Sequence, residues 1–178
     1  EKSVNNLLQK IEYNWRTILE LSLARGLCNI ATEELIQHGD ELTPEMQEEF
    51  ILQFIDAVIS YEPSMVDVLV AMRINVEYII TRSLELEKTS SFIRVLEVSD
   101  FNVVKAIEYV ERLGTSLPIE LYESLLHFLS RPSLLRRKIL SKEKERINKF
   151  FEELAVKFQE KLNKTKEEDL EFSFFEEL

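Results

Sequence analysis

The amino-acid sequence predicts an all-α fold: a single-domain, multi-helix bundle of about six or seven helices wrapped around one apolar helix over 65–87. Three observations carry that reading. The 178 residues include only 3 Gly and 4 Pro, well below the roughly 12% that these two residues make up in average usage. Apolar residues recur at three- and four-residue steps along most of the chain, which is the spacing of one helix face. The breaks in that spacing fall at Gly26, Gly39, Pro44, Pro63, Gly114, Pro118 and Pro132, which are all seven of the turn-formers. A sandwich or barrel needs far more turn residues. A Gly-rich phosphate loop needs clustered glycines, and these three are isolated.

Taken in order, Val4, Leu8, Ile11, Trp15, Ile18 and Leu19 form a helical stripe. Gly26 divides the stretch up to His38 into two helices, and Gly39 is expected as a C-terminal cap. Thr43-Pro44 reads as an N-cap followed by the first helical residue. The helix it opens turns Met46, Phe50, Phe54, Val58 and Tyr61 to one face. Pro63 ends that helix, and Ser64 with Asp67 resembles a capping box for the next. The third helix, 65–87, carries Val66, Val68, Leu69, Val70, Ile74, Val76, Ile79 and Ile80, with scarcely a polar face. Such a helix is expected to be surrounded by others, leaving Arg73, Asn75 and Arg82 in need of partners. Shorter helices follow over 91–98, then from Ser99 as a cap to Gly114, and from Pro118 to Ser130. The longest helix is expected from Ser133 to about Lys166. Its seam is Ile147, Phe150, Phe151, Leu154, Phe158 and Leu162. The expected organisation is a helical bundle over 1–166 and an acidic, aromatic tail over 167–178.

With 45% apolar and 31% charged residues, the composition is that of a globular chain, neither disordered nor membrane-spanning. No stretch reaches the roughly 18 uninterrupted apolar residues of a spanning helix, so no membrane insertion is expected. The single cysteine, Cys28, leaves no internal disulfide, and a cytoplasmic location is the expectation.

Little in the sequence points to chemistry. A di-iron bundle uses Glu-x-x-His on two helices, whereas Glu34 and Glu123 lie four residues before His38 and His127. One Cys and two His spread over a hundred residues make a poor zinc set. Cys28 and His38, ten residues apart on one helix, are separated by about 15 Å along its axis. That is too far for a nucleophile and its base. No cofactor, metal or catalytic residue is expected, and the chain is read as non-enzymatic.

Charge is the informative feature. The net charge is −11, distributed very unevenly. Between Arg25 and Arg73 there are ten acids and no Lys or Arg, so 26–72 alone carries −10. The segment 131–149 holds eight cations against Glu143 and Glu145, a local charge of +6. The last twelve residues swing back to −6. A surface of −10 attracts basic proteins and repels nucleic acid and anionic lipid.

Two sets of candidate interaction residues follow. The first is the basic face of Arg136, Arg137, Lys138, Lys142 and Lys144. The second is the tail, where Phe172, Phe174, Phe175 and Leu178 stand among acids and would anchor either in a partner's groove or on the chain's own bundle. The expected function is that of a protein-interaction or adaptor domain with a protein partner or a second copy, associating through complementary acidic and basic surfaces. The alternative is an accessory factor of a nucleic-acid-processing complex that contacts phosphates through 131–149. The pI near 4.8 and the adjacent acidic tail weigh against it.

Overall fold

A computed structural model describes residues 15–114, 117–131 and 139–176, with the backbone alone over 172–176. Among the described residues stand nine α-helices, two 3₁₀ turns and no strand. The all-α reading holds, with more and shorter helices than the sequence suggested. They gather into two compact units, Glu1–Val95 and Leu96–Leu178.

The first unit contains α1 (Trp15–Ala24), α2 (Cys28–His38), α3 (Pro44–Tyr61), α4 (Val66–Ala71), α5 (Val76–Glu85) and most of α6 (Thr89–Val98). Each buries a stripe at helical spacing, such as Trp15, Leu19, Ser22 and Leu23 on α1 and Ile79, Ile80, Ser83 and Leu84 on α5. Leu19, Ala31, Val58, Ile59, Val66, Ile79, Ile80, Phe92 and Val95 are wholly withdrawn from solvent. Each large aliphatic side chain buried in this way contributes about 1.5–3 kcal/mol.

The expected continuous helix over 65–87 is not one element. Pro63–Met65 forms a 3₁₀ turn, α4 ends at Ala71, and α5 begins at Val76. The break is made by Arg73, which adopts φ 56°. Its N–H bonds the Val70 carbonyl and the Ile74 N–H bonds the Leu69 carbonyl, the paired closure of a left-handed helix stop. Asn75 then restarts the chain, its side chain accepting from the Tyr78 N–H at 3.2 Å. Arg73 is exposed at this stop, so no buried partner is required of it. The same closure recurs at Gly26 and at Glu87 (φ 71° and 55°), where Leu27 N–H reaches Ser22 and Lys88 N–H reaches Ser83.

Other helix ends match the sequence less uniformly. Thr43 caps α3 by accepting from Met46 N–H at 3.3 Å. Gly39 keeps right-handed φ −56° and opens a second 3₁₀ turn, Gly39–Glu41, so it is no left-handed cap. Ser64 forms no capping box, because Met65 precedes α4 without a side-chain cap and Asp67 is engaged by Arg94.

Pro63 has a consequence beyond ending a helix. It has no N–H to offer the Ile59 carbonyl one turn earlier. The buried Ser91 hydroxyl, on α6, donates to that carbonyl at 2.8 Å. A backbone acceptor orphaned by a proline is thereby satisfied from 32 residues away. Among the described residues no buried side-chain polar atom lacks a partner.

The second unit contains the end of α6, then α7 (Val103–Leu113), α8 (Ile119–Leu129) and α9 (Ser141–Glu176). Asn102 rather than Ser99 caps α7, accepting from Val104 and Lys105 N–H at 2.9 and 3.2 Å. Gly114 closes α7 at φ 72°. The inward face of α8 is Leu121, Tyr122, Leu125 and Phe128, so Ile119, Leu126 and Leu129 are only half-buried. α9 packs Ile147, Phe150 and Leu154 against α7 and α8. It runs unbroken past Lys166 to Glu176.

Backbone geometry sets two predictions. Gly26→Ala is expected to lower stability by more than 1 kcal/mol, about the cost of a left-handed non-glycine residue. Its Cβ would also stand 2.3 Å from the Tyr61 ring. Arg73→Gly and Glu87→Gly, at the same kind of stop, should each raise stability by about 0.5–1 kcal/mol. Denaturant midpoints check all three. Ser91→Ala should cost about 1–3 kcal/mol, because it strands a buried carbonyl. An unchanged midpoint would show that the Ile59 carbonyl needs no donor.

Candidate interaction surfaces

The first unit displays the cation-free window 26–72. Seven of its ten acids are exposed: Glu33, Asp40, Glu41, Glu45, Glu48, Glu49 and Glu62. Two others are engaged from outside the window. Arg94 makes a two-pronged contact with Asp67, Nε to Oδ1 at 2.7 Å and Nη2 to Oδ2 at 2.5 Å. That hydrogen bonding holds the Asp67 carboxyl below the usual carboxylate range. Arg82 Nε donates to Asp56 Oδ1 at 3.0 Å and its Nη1 to Glu85 Oε2 at 2.9 Å. Both bonds raise the guanidinium pKa further. The Tyr78 hydroxyl donates to the same Asp56 oxygen at 3.3 Å, and its pKa is raised, first by burial and then by the Asp56 charge. Asp56 and Arg82 of this cluster line a shallow groove of about 270 Å³ with Glu20, Leu23, Ala57 and Tyr61. The cluster's charges are bound to one another, an arrangement that fixes α5 to α3.

Helices α2 and α3 each carry a mixed exposed stripe. On α2 it runs Ile30, Glu33, Ile36 and Gln37, and on α3 Glu45, Glu48, Glu49 and Leu52. Ile36 is 78% exposed, and Tyr61 and Met72 are 60% and 66% exposed. Glu45 and Glu49, one turn apart with like charge, repel. The surface therefore combines unneutralised acid with uncovered apolar area.

Of the candidate chemistry residues, Cys28 and His38 stand at the two ends of α2. Cys28 is buried, and burial, reinforced by Glu62, raises its thiol pKa. His38 stacks on Trp15 with ring centroids 4.8 Å apart, and its nitrogens lie 3.9 and 3.4 Å from Glu34 and Glu41. His127 is exposed on α8. Among the described residues no group of three or more His, Cys, Asp or Glu side chains is arranged to hold a metal ion, and no helix is long and apolar enough to cross a membrane.

The basic segment divides by role. Arg131 Nη1 donates to Glu97 at 2.5 Å, and Arg146 pairs with Glu111. Lys142, Lys144 and Lys149 are exposed at the start of α9. Arg136, Arg137 and Lys138 lie outside the described residues, as does Leu178. The backbone at Phe172, Phe174 and Phe175 belongs to α9, so the helix continues into the expected tail. The ion pairs Asp56–Arg82 and Asp67–Arg94 join residues 26 and 27 positions apart, and nothing in the sequence signals them.

No family model, curated protein or solved structure matches the chain.

The division of the basic segment is testable by thermal unfolding. Arg131→Ala and Arg146→Ala should each cost about 0.5–1 kcal/mol, as partly exposed ion pairs do. Lys142→Ala and Lys144→Ala should stay within about 0.5 kcal/mol of the parent.

Proposed function

We propose that this chain is a non-enzymatic protein-interaction module, and that its first unit receives a basic, amphipathic segment of another protein. One observation carries the reading. The window 26–72 exposes seven acids and leaves large apolar side chains such as Ile36 and Met72 uncovered, with no Lys or Arg in it. A field of one sign steers an oppositely charged partner and speeds its encounter. The apolar area gives the docked partner something to bury, which charge in water alone does not supply. The exposed lysines at the start of α9 give the module a basic surface as well as an acidic one. Anionic polymers meet −10 over 26–72 and an acidic end on α9, which disfavours nucleic acid as the ligand.

Fluorescence anisotropy with a labelled Leu/Lys amphipathic peptide tests the reading. The full chain should bind it, more weakly as salt rises. Glu45→Lys, Glu48→Lys and Glu49→Lys combined should cut affinity about tenfold or more, about 1.4 kcal/mol. Equal binding by that variant, or no binding at low salt, would overturn the proposal. Tighter binding of a labelled oligonucleotide, lost on reversing Lys142 and Lys144, would put the nucleic-acid reading in its place.

A further inference from the structure

The last helix carries its charges in the unfavourable direction. Over 141–166 it has eight Lys or Arg and five acids, and over 167–176 five acids and no cation. A helix macrodipole is positive at the N-terminus and negative at the C-terminus, so it favours the reverse. The basic half is fixed to the second unit by Ile147, Phe150 and Leu154. Lys161 is held there too, its Nζ donating to the Leu117 carbonyl and standing 4.7 Å over the Tyr122 ring. Over 163–171 the support is absent. Every residue over 163–171 is exposed, and 163–176 extends about 21 Å at 1.5 Å per residue.

Among the described side chains of this helix two large apolar ones are left bare, Val156 at 59% and Leu170 at 70% exposure. They are fourteen residues apart, within about 40° of the same face and about 21 Å along the axis. Asn163 lies midway between them. A continuous helix cannot fold its own end back, so α9 cannot cover Val156 with Leu170 of the same chain.

We propose that a second copy of this chain lies antiparallel along α9, with Asn163 of both copies at the two-fold axis. Val156 of each copy then faces Leu170 of the other. On one flank, Lys157 comes level with the space between Glu167 and Glu171 of the second copy, and Lys164 lies beside its Glu160. The basic half of each helix runs beside the acidic half of its neighbour, and the two macrodipoles oppose. A parallel pair would set 167–171 against its own like charges. This interface uses α9 alone, so its failure leaves the acidic surface of the first unit untouched, and the converse holds.

The test is light scattering of the full chain after size exclusion. The expected mass is twice 21.0 kDa. Lys157→Glu with Lys164→Glu should give a monomer, and adding Glu160→Lys, Glu167→Lys and Glu171→Lys should restore the dimer. A Val156→Cys/Leu170→Cys variant should form a disulfide-linked dimer on oxidation, since the two sites are too far apart to bridge within one helix. A parent monomer at every concentration, a dimer unmoved by the lysine reversals, failure of the charge swap to rescue, or no covalent dimer would each overturn the proposal.

Discussion

A chain of many short helices is constrained first by its helix ends. Each helix leaves four N–H groups and four carbonyls without intrahelical partners. Water serves the exposed ones, but every buried one needs a donor or acceptor from the chain, at about 1–3 kcal/mol for a failure. The first unit meets the demand by closing three helices with left-handed residues, Gly26, Arg73 and Glu87. Thr43 and Asn75 open two others. The Ser91 hydroxyl is sent to the carbonyl that Pro63 cannot serve. That last bond joins α6 to α3 through the deepest part of the core, where Ile59 and Phe92 are wholly buried. Helix length, core composition and the direction of each following helix all depend on where these stops fall.

The same constraint explains which elements were legible in the sequence. Gly26, Thr43-Pro44, Gly114 and Pro118 mark real boundaries, because Gly tolerates positive φ and Pro both lacks an N–H and fixes φ. The break inside 65–87 was not legible. It is made by Arg73, a residue with no preference for the left-handed region, and by Asn75, whose side chain caps the next helix. Apolar periodicity runs straight through the stop, since Leu69 and Ile79 belong to the core on both sides of it. Ser99 is the cap expected from the sequence, and Asn102, whose oxygen reaches two N–H groups, takes the role. The extent of α9 was misjudged for a related reason: the apolar seam fades after Leu162 while the backbone stays helical.

The charge pattern was legible as totals but not as roles. The ten acids of 26–72 can be counted from the sequence. That Asp56 and Asp67 hold α5 and α6 in place, while seven others face solvent, depends on contacts made across 26 and 27 residues. Arg131 and Arg146 likewise look like members of one basic patch with Lys142 and Lys144. Their pairing with Glu97 and Glu111 makes them internal to the second unit. What is left for partners is therefore more one-sided than the net charge implies, acidic on the first unit and lysine-bearing at the start of α9.

The far end of α9 is where local and global preferences diverge most. Asn163, Thr165, Asp169, Phe172, Ser173, Phe174 and Phe175 are mediocre helix formers, and the acids crowd the terminus where the macrodipole is already negative. Helices in water owe most of their stability to packing along an apolar face, and an unsupported stretch this short is marginal. The second unit offers no such packing over 163–171. An antiparallel copy supplies each missing term together: apolar contact for Val156 and Leu170, lysines for the acidic end, and an opposed dipole. The charge order that is unfavourable for one helix is favourable for two.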